Sequence, residues 1–330
     1  MASRKIWLLR LVPTFPFGRL LTGILLLSLL LPLFYLGAEE EPADSTPALF
    51  FSLIIAYIIP VFSLITATSE EALDELRPLL DLDDIAFEEA RARLDSASLR
   101  QTGLCLGIGA LSGFAHMSLI RGSVTGTILE MSSSLAGFLS TLGTVLVWMI
   151  MTTVITMLIK QTILFGHLGA NHVRISLLNT RKLLPFARVS IISSLALIGS
   201  LALFPLIGIE SGQNLLESVP GAVAILVPLL IMFIIPIWPI HRRLGALKEQ
   251  EMKAVNNKIE ACLDGQDTVD LEDPKLRQLT LLLNYRREIN RISTWPFDMG
   301  NLTRLVLYLI IVPLTWAGAA LIENLVDYLL

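Results

Sequence analysis

Along the chain, long apolar runs alternate with short charged stretches, and seven of the runs approach the roughly 20 residues that a helix needs to cross a bilayer. They cover residues 20–37, 48–68, 102–120, 137–158, 189–208, 221–240 and 303–322. The third run, TGLCLGIGALSGFAHMSLI, is rich in glycine and carries His116, so a re-entrant or deeply packed segment is the alternative to a full span there. The first run follows basic residues as a signal peptide would, but its length and the lack of a small residue at Leu36 favour an uncleaved anchor.

Two of the polar stretches read as helices outside the membrane. Residues 69–101 hold ten acidic and four basic residues, with apolar ones at helical spacing. Ser69 followed by acids reads as a helix start, Pro78 as its end, and a second helix is predicted over 82–94. The cluster Asp81, Asp83 and Asp84 lacks the Gly and closing Glu of a calcium loop, so it reads as a solvated acidic turn. In 241–292 apolar residues recur in steps of three and four on either side of DGQDTVDLEDP, whose Gly265 and Pro274 break helices. This pattern predicts an antiparallel coiled-coil hairpin that leaves the membrane with the sixth span and returns at the seventh.

The return is marked by INRISTWPFDMGNLTRL. Trp295 suits the headgroup layer, Pro296 breaks the helix, and Asp298 is placed to cap the last span. At the other end, MASRKIWLLRLVPTFPFGRL is basic and aromatic, and Pro13 and Pro16 forbid one continuous helix. It reads either as an interfacial segment on anionic headgroups or as the topogenic flank of the first span. The chain thus divides into 1–68, 69–101, 102–240 with a basic loop 159–188, 241–298 and 299–330.

Composition agrees with this pattern: 54% hydrophobic residues, 16% charged and a mean hydropathy of +0.68 describe an integral membrane protein. Charge orients it. With the N-terminus in the cytoplasm, the inner segments hold four basic residues up to and including Arg19, four in 69–101, five in 159–188 and eleven in 241–304, which leaves only Arg121 outside. The positive-inside rule then puts the N-terminus in and the C-terminus out. The net charge of −4 and the absence of a basic face give no reason to expect a nucleic-acid partner.

Little in the sequence points to chemistry. Cys105 and Cys262 form no disulfide framework, and His116, His167, His172 and His241 are scattered, the middle pair five residues apart where metal ligands on a helix favour four. No nucleophile elbow, zinc-protease or phosphate-loop motif occurs, so no enzyme, cofactor or metal site is expected. The spans nearly lack carboxylates, which counts against cation-coupled transport.

The fourth run is different. Ser140, Thr144, Trp148, Thr152, Thr156 and Lys160 recur every four residues, a mostly polar stripe ending on a cation. Such a stripe fits the wall of a water-filled path that favours anions, or hydroxyls that bond their own helix and glue neighbours. In the third run Gly103 with Gly107, and Gly109 with Gly113, are small-residue pairs suited to close helix packing. Pro228, Pro236 and Pro239 in the sixth run, and Pro32, Pro60, Pro205 and Pro313 elsewhere, are hinge candidates that also occur in static membrane helices. The loop 165–188 carries Arg174, Arg181, Lys182 and Arg188 and no acid, among Val173, Ile175, Leu177, Leu178, Leu183 and Leu184. It suits anionic lipid headgroups or ion pairing with the acidic 69–101 segment.

The stretches STWPFDMGNLTRLVLYLIIVPLTWAGAALIE and FGHLGANHVRISLLNTRKLLPFARV resemble a group of bacterial multi-pass inner-membrane proteins of no known activity. The resemblance covers the C-terminal half and implies a bacterial inner membrane; it assigns no functional residue. The expectation is therefore an all-α polytopic membrane protein with about seven transmembrane helices and a cytoplasmic antiparallel helical hairpin. Function is expected to be that of a homo-oligomeric channel or permeation protein lined by the stripe. The alternatives are a sensor or scaffold docking a cytoplasmic protein through the hairpin, and a lipid-handling protein.

Overall fold

The computed structural model describes residues 4–37, 46–203, 215–263 and 274–295, together with the helical positions Thr303, Leu307 and Ile311. In chain order it contains β1 (Arg4–Lys5), α1 (Trp7–Arg10), α2 (Gly18–Tyr35), α3 (Thr46–Leu76), α4 (Asp84–Asp95), β2 (Ser96–Ala97), α5 (Leu99–Ile120), α6 (Val124–Ser133), α7 (Leu135–Asn171), α8 (Leu184–Leu201), α9 (Leu215–Leu263) and α10 (Pro274–Arg291). Among the described residues six helices, α2, α3, α5, α7, α8 with the turn before it, and α9, are long and apolar enough to cross a membrane. The fold is thus helical and compatible with an integral membrane protein. The seventh expected span lies outside the described residues except at three positions, as do Pro205, Pro296, Asp298 and Pro313.

Local sequence sets the helix starts. Asp83, Ser98, Ser123 and Ser134 each accept a backbone N–H of the following turn, which satisfies one of the four amides that every helix start leaves without a partner. Gly122, at φ +71°, makes the turn from α5 to α6, and Arg121 then pairs with Glu130 at 2.5 Å. α5 is one unbroken helix of 22 residues, about 33 Å long, which is long enough to cross the hydrocarbon core.

Two apolar cores are stacked along the bundle. In the first, Ile54, Ile58, Phe62 and Ile65 of α3 meet Val154, Met157 and Leu158 of α7, Leu197 of α8 and Met232 of α9. Around it Ile24 and Leu29 of α2, Leu104 and Leu111 of α5, and Ile234 of α9 are exposed, the apolar band that contact with lipid requires. The second core lies on the side of the basic loops: Leu73 and Leu76 of α3, Phe87 and Leu94 of α4, Phe165 of α7, Phe186 of α8, and Ile240 and Leu244 of α9. Beyond it α10 packs on the end of α9 through Val255, Ile259 and Ile289.

One local expectation is corrected, and the N-terminal segment gains a contact that its sequence did not show. Ser69 does not start a helix; α3 continues through it to Leu76, and Ser69 is fully buried, so the boundary at 68/69 falls within one element. The N-terminal segment is docked into the protein, with Arg4 opposite Ala97, Lys5 opposite Ser96, and Ile6, Leu8, Leu9 and Val12 buried in the first core. Arg4, Lys5, Arg10, Phe15 and Phe17 of the same segment remain exposed.

The glycines of α5 divide into two pairs. A Cβ at Gly109 or Gly113 would come within 2.5 or 2.8 Å of the Cα of Met149 or Val145 on α7, whereas at Gly103 and Gly107 nothing lies within 4 Å among the described residues. Packing at the first pair needs the missing side chain; packing at the second does not use it. Gly109→Ala and Gly113→Ala are therefore expected to lower the midpoint of thermal unfolding in detergent. Gly103→Ala and Gly107→Ala should leave it unchanged or raise it, by at most about 1 kcal/mol of helix propensity.

Candidate functional site

The stripe of α7 runs along its neighbour α5. The two helices are antiparallel, Gly109 facing Met149 and Gly113 facing Val145. Thr144 is buried; its hydroxyl donates to the Ser140 carbonyl at 3.0 Å and lies 3.3 Å from the Met117 sulfur. Trp148 stands 5.7 Å from the ring of His116, and Ser140, Thr152 and Thr156 are half-buried. At the far end Lys160 Nζ donates to the Ser96 carbonyl at 3.1 Å, in the strand that leads into α5.

That last contact belongs to a polar joint that the sequence reading passed over. Between α4 and α5 the backbone leaves helical geometry where Leu94 and Ala97 are buried, so its carbonyls need donors supplied from elsewhere. Three consecutive ones find three different partners. Gln161 Nε2 donates to Leu94 O at 2.7 Å, Ile6 N to Asp95 O at 2.9 Å and Lys160 Nζ to Ser96 O. Gln161 is 2% exposed and its Nε2 also donates to Thr66 Oγ1 of α3 at 3.2 Å. Gln161 Oε1, and Ser69 Oγ one turn along α3 from Thr66, are buried without a hydrogen-bond partner among the described residues. The signal was present in the sequence as the one side-chain amide in the apolar length of α7 before Asn171.

The basic loop and the acidic segment meet directly. Asp81 N donates to His172 O at 2.7 Å and Arg174 N to Leu79 O at 2.8 Å, with Leu80 and Val173 bridged antiparallel. Arg174 pairs with Asp81 at 2.7 Å, and Arg188 approaches Glu75 at 2.8 Å as an ion pair whose angle departs from hydrogen-bond geometry. Asp84 pairs with Arg77, and Asp83 caps α4, so the acidic turn is used throughout. Arg181 and Lys182 are exposed and have no ion pair among the described residues. The loop's four cations thus divide between the two readings of it, two bonded to the acidic segment and two left over. His167 and His172, unpromising by spacing, have ring centres 5.4 Å apart because His172 lies beyond the end of α7.

Where α9 leaves the bundle, Arg243 donates to Gly169 O at 3.0 Å. Trp295 stacks on His241 with ring centres 4.0 Å apart, and His241 Nδ1 lies 3.2 Å from Thr294 O, which places its proton on Nδ1. Lys248 Nζ donates to the carbonyls of Asn290 and Ile292, at 2.7 and 2.8 Å, and so satisfies the end of α10. Among the described residues no group of three or more His, Cys, Asp or Glu is placed to hold a metal ion. No known protein family, curated protein or solved structure matches the chain.

The joint gives a direct test. Gln161→Ala removes both donors and strands the Leu94 carbonyl in a buried place, at an expected cost of roughly 1–3 kcal/mol. Thermal unfolding in detergent should register this loss, while Thr152→Ala in the same helix should differ from wild type by well under that amount.

Proposed function

We propose that the protein is a multi-pass protein of a bacterial inner membrane that serves as a non-conducting scaffold, its basic side in the cytoplasm, presenting α9 and α10 to a protein partner. One observation carries the reading. α9 runs unbroken for 49 residues from its lipid-facing half to its charged half, and Ile240 and Leu244 fix it in the second core where it leaves the bundle. A helix that only crossed the bilayer would need no such extension. The extension carries α10, on which Leu281 is 65% exposed and Leu283 and Tyr285 are also uncovered, although Leu279, Leu282 and Ile289 already serve the contact with α9. Leu281 and Tyr285 flank one side of the stripe that α9 covers and Leu283 the other, so α10 is apolar over a wider arc than α9 buries, and that surplus is open to a second partner.

The pore reading has less to support it. Thr144 is buried and bonded to its own helix, Trp148 and Lys160 contact neighbouring segments, and the stripe follows the seam with α5, so its polarity has uses that need no water-filled path. No chemical step is part of the proposal. A second copy of the chain is the other occupant that the α10 face would accept.

Two measurements test the scaffold. The purified protein reconstituted in liposomes and planar bilayers is expected to pass no current or solute across voltage, pH and tension; a conductance that Thr152→Trp suppresses would overturn the proposal in favour of a pore. A photo-crosslinking residue in place of Leu281, in native membranes, is expected to give a discrete adduct with another polypeptide, and one in place of the lipid-facing Leu104 none. Adducts absent from both sites would equally sink the docking role.

A further inference from the structure

The loop cations divide sharply by what they touch. On the basic side of the bundle Arg77, Arg91, Arg93, Arg174 and Arg188 each face a carboxylate, and Lys160 and Arg243 each donate to a backbone carbonyl. Arg181 and Lys182 have neither kind of partner among the described residues, and both are exposed. They stand just before Leu184, the first residue of α8, where the chain turns into one of the six apolar helices.

The surroundings of this pair are apolar. Leu178 is 79% exposed and Leu184 45%, so the cations are flanked by leucines that the protein leaves uncovered. In water such leucines are a cost; at the boundary of a bilayer they are not. Trp295 packs beside Ala187 and Ile237, and Trp238 on α9 is half exposed, which puts two tryptophans near the start of α8 at the depth where indole rings collect. Acidic residues are missing along the chain here: none occurs between Glu130 and Glu210. The carboxylates that approach from α3 and the turn after it, Glu75 and Asp81, are held by Arg188 and Arg174. An anion beside Arg181 and Lys182 therefore meets no uncommitted carboxylate of this loop.

We propose that Arg181 and Lys182, between the exposed Leu178 and Leu184, form a binding site for the headgroup of an anionic phospholipid at the start of α8. The planar guanidinium of Arg181 engages two oxygens of the phosphodiester, Lys182 supplies a second charge, and the leucines meet the first carbons of the acyl chains. A free phosphate would use the charges and leave the leucines without a role, which is why the lipid is the occupant. The site does not depend on the scaffold reading, since it uses no residue of α10.

The test uses the full chain in detergent, titrated with phosphatidylglycerol or phosphatidylcholine of equal chain length, with bound lipid counted by native mass spectrometry. Each cation near a surface favours an anionic lipid by roughly a factor of five. The wild type is therefore expected to prefer phosphatidylglycerol by about fivefold or more, and the preference should weaken with salt. Arg181→Glu with Lys182→Glu should abolish it, and Arg181→Gln with Lys182→Gln, which adds no repulsion and guards against misfolding of the reversal, should reduce it. Arg286→Glu with Arg287→Glu, an equal charge change on exposed residues of α10, should leave it intact. The proposal is overturned if the loop variants keep the preference, if the α10 variant loses it equally, or if inorganic phosphate displaces the lipid as well as phosphatidylglycerol does.

Discussion

Packing beyond the bilayer is the constraint on which this architecture depends. α3, α7 and α9 have 31, 37 and 49 residues, where a crossing needs about 20. The turns beyond that length gain nothing from a bilayer, and a helix outside lipid is marginal unless a neighbour covers its apolar face. The second core supplies that cover, since Leu76, Phe165, Phe186, Ile240 and Leu244 come from four different helices and close on one another, and α4 lays Phe87 and Leu94 over them. The angle at which α9 leaves the bundle follows from this contact, and with it the position of α10.

Between the two cores the chain must pass from α4 to α5 without helical hydrogen bonds. The donors that this passage needs come from Lys160, Gln161 and the Ile6 amide. Lys160 and Gln161 belong to the turn of α7 that passes the joint, and β1 closes it from the other side. The N-terminal segment is thereby bound to the fold by backbone pairing and by burial of Ile6 and Leu8, so two residues of ladder have more structural weight than their length suggests.

Hydrophobicity alone located the six apolar windows that fall within the described residues, because a bilayer-length apolar run has few other uses. What the sequence hid was helix continuation and partner choice. Ser69 followed by acids has the chemistry of an N-cap, yet the same residue continues a helix when its side chain is buried, and burial is a property of the neighbours. The loop 165–188 carried two readings because a row of cations beside an acidic segment does not say which of them reach it. The structure divides them by distance: Arg174 and Arg188 do, and the two between them do not. His167 and His172 were set aside on helical spacing, a rule that ceases to apply once the helix ends at Asn171.

The polar stripe shows the same limit in a sharper form. A four-residue repeat marks one ridge of a helix, and a ridge can line a path or fit the groove of a neighbour. On α5 the glycines that contact α7 are themselves four apart, at 109 and 113, and meet positions four apart, at 149 and 145. Those positions stand one residue on from Thr144 and Trp148, so this part of the stripe borders the seam with α5, as a packing ridge does. Periodicity alone cannot separate the two cases, because both select the same spacing; a second helix with the complementary small residues can. Among the described residues, Leu281 on α10 and the Arg181–Lys182 corner are side chains that packing within the fold does not use, which is why the proposed docking and lipid contacts are placed there.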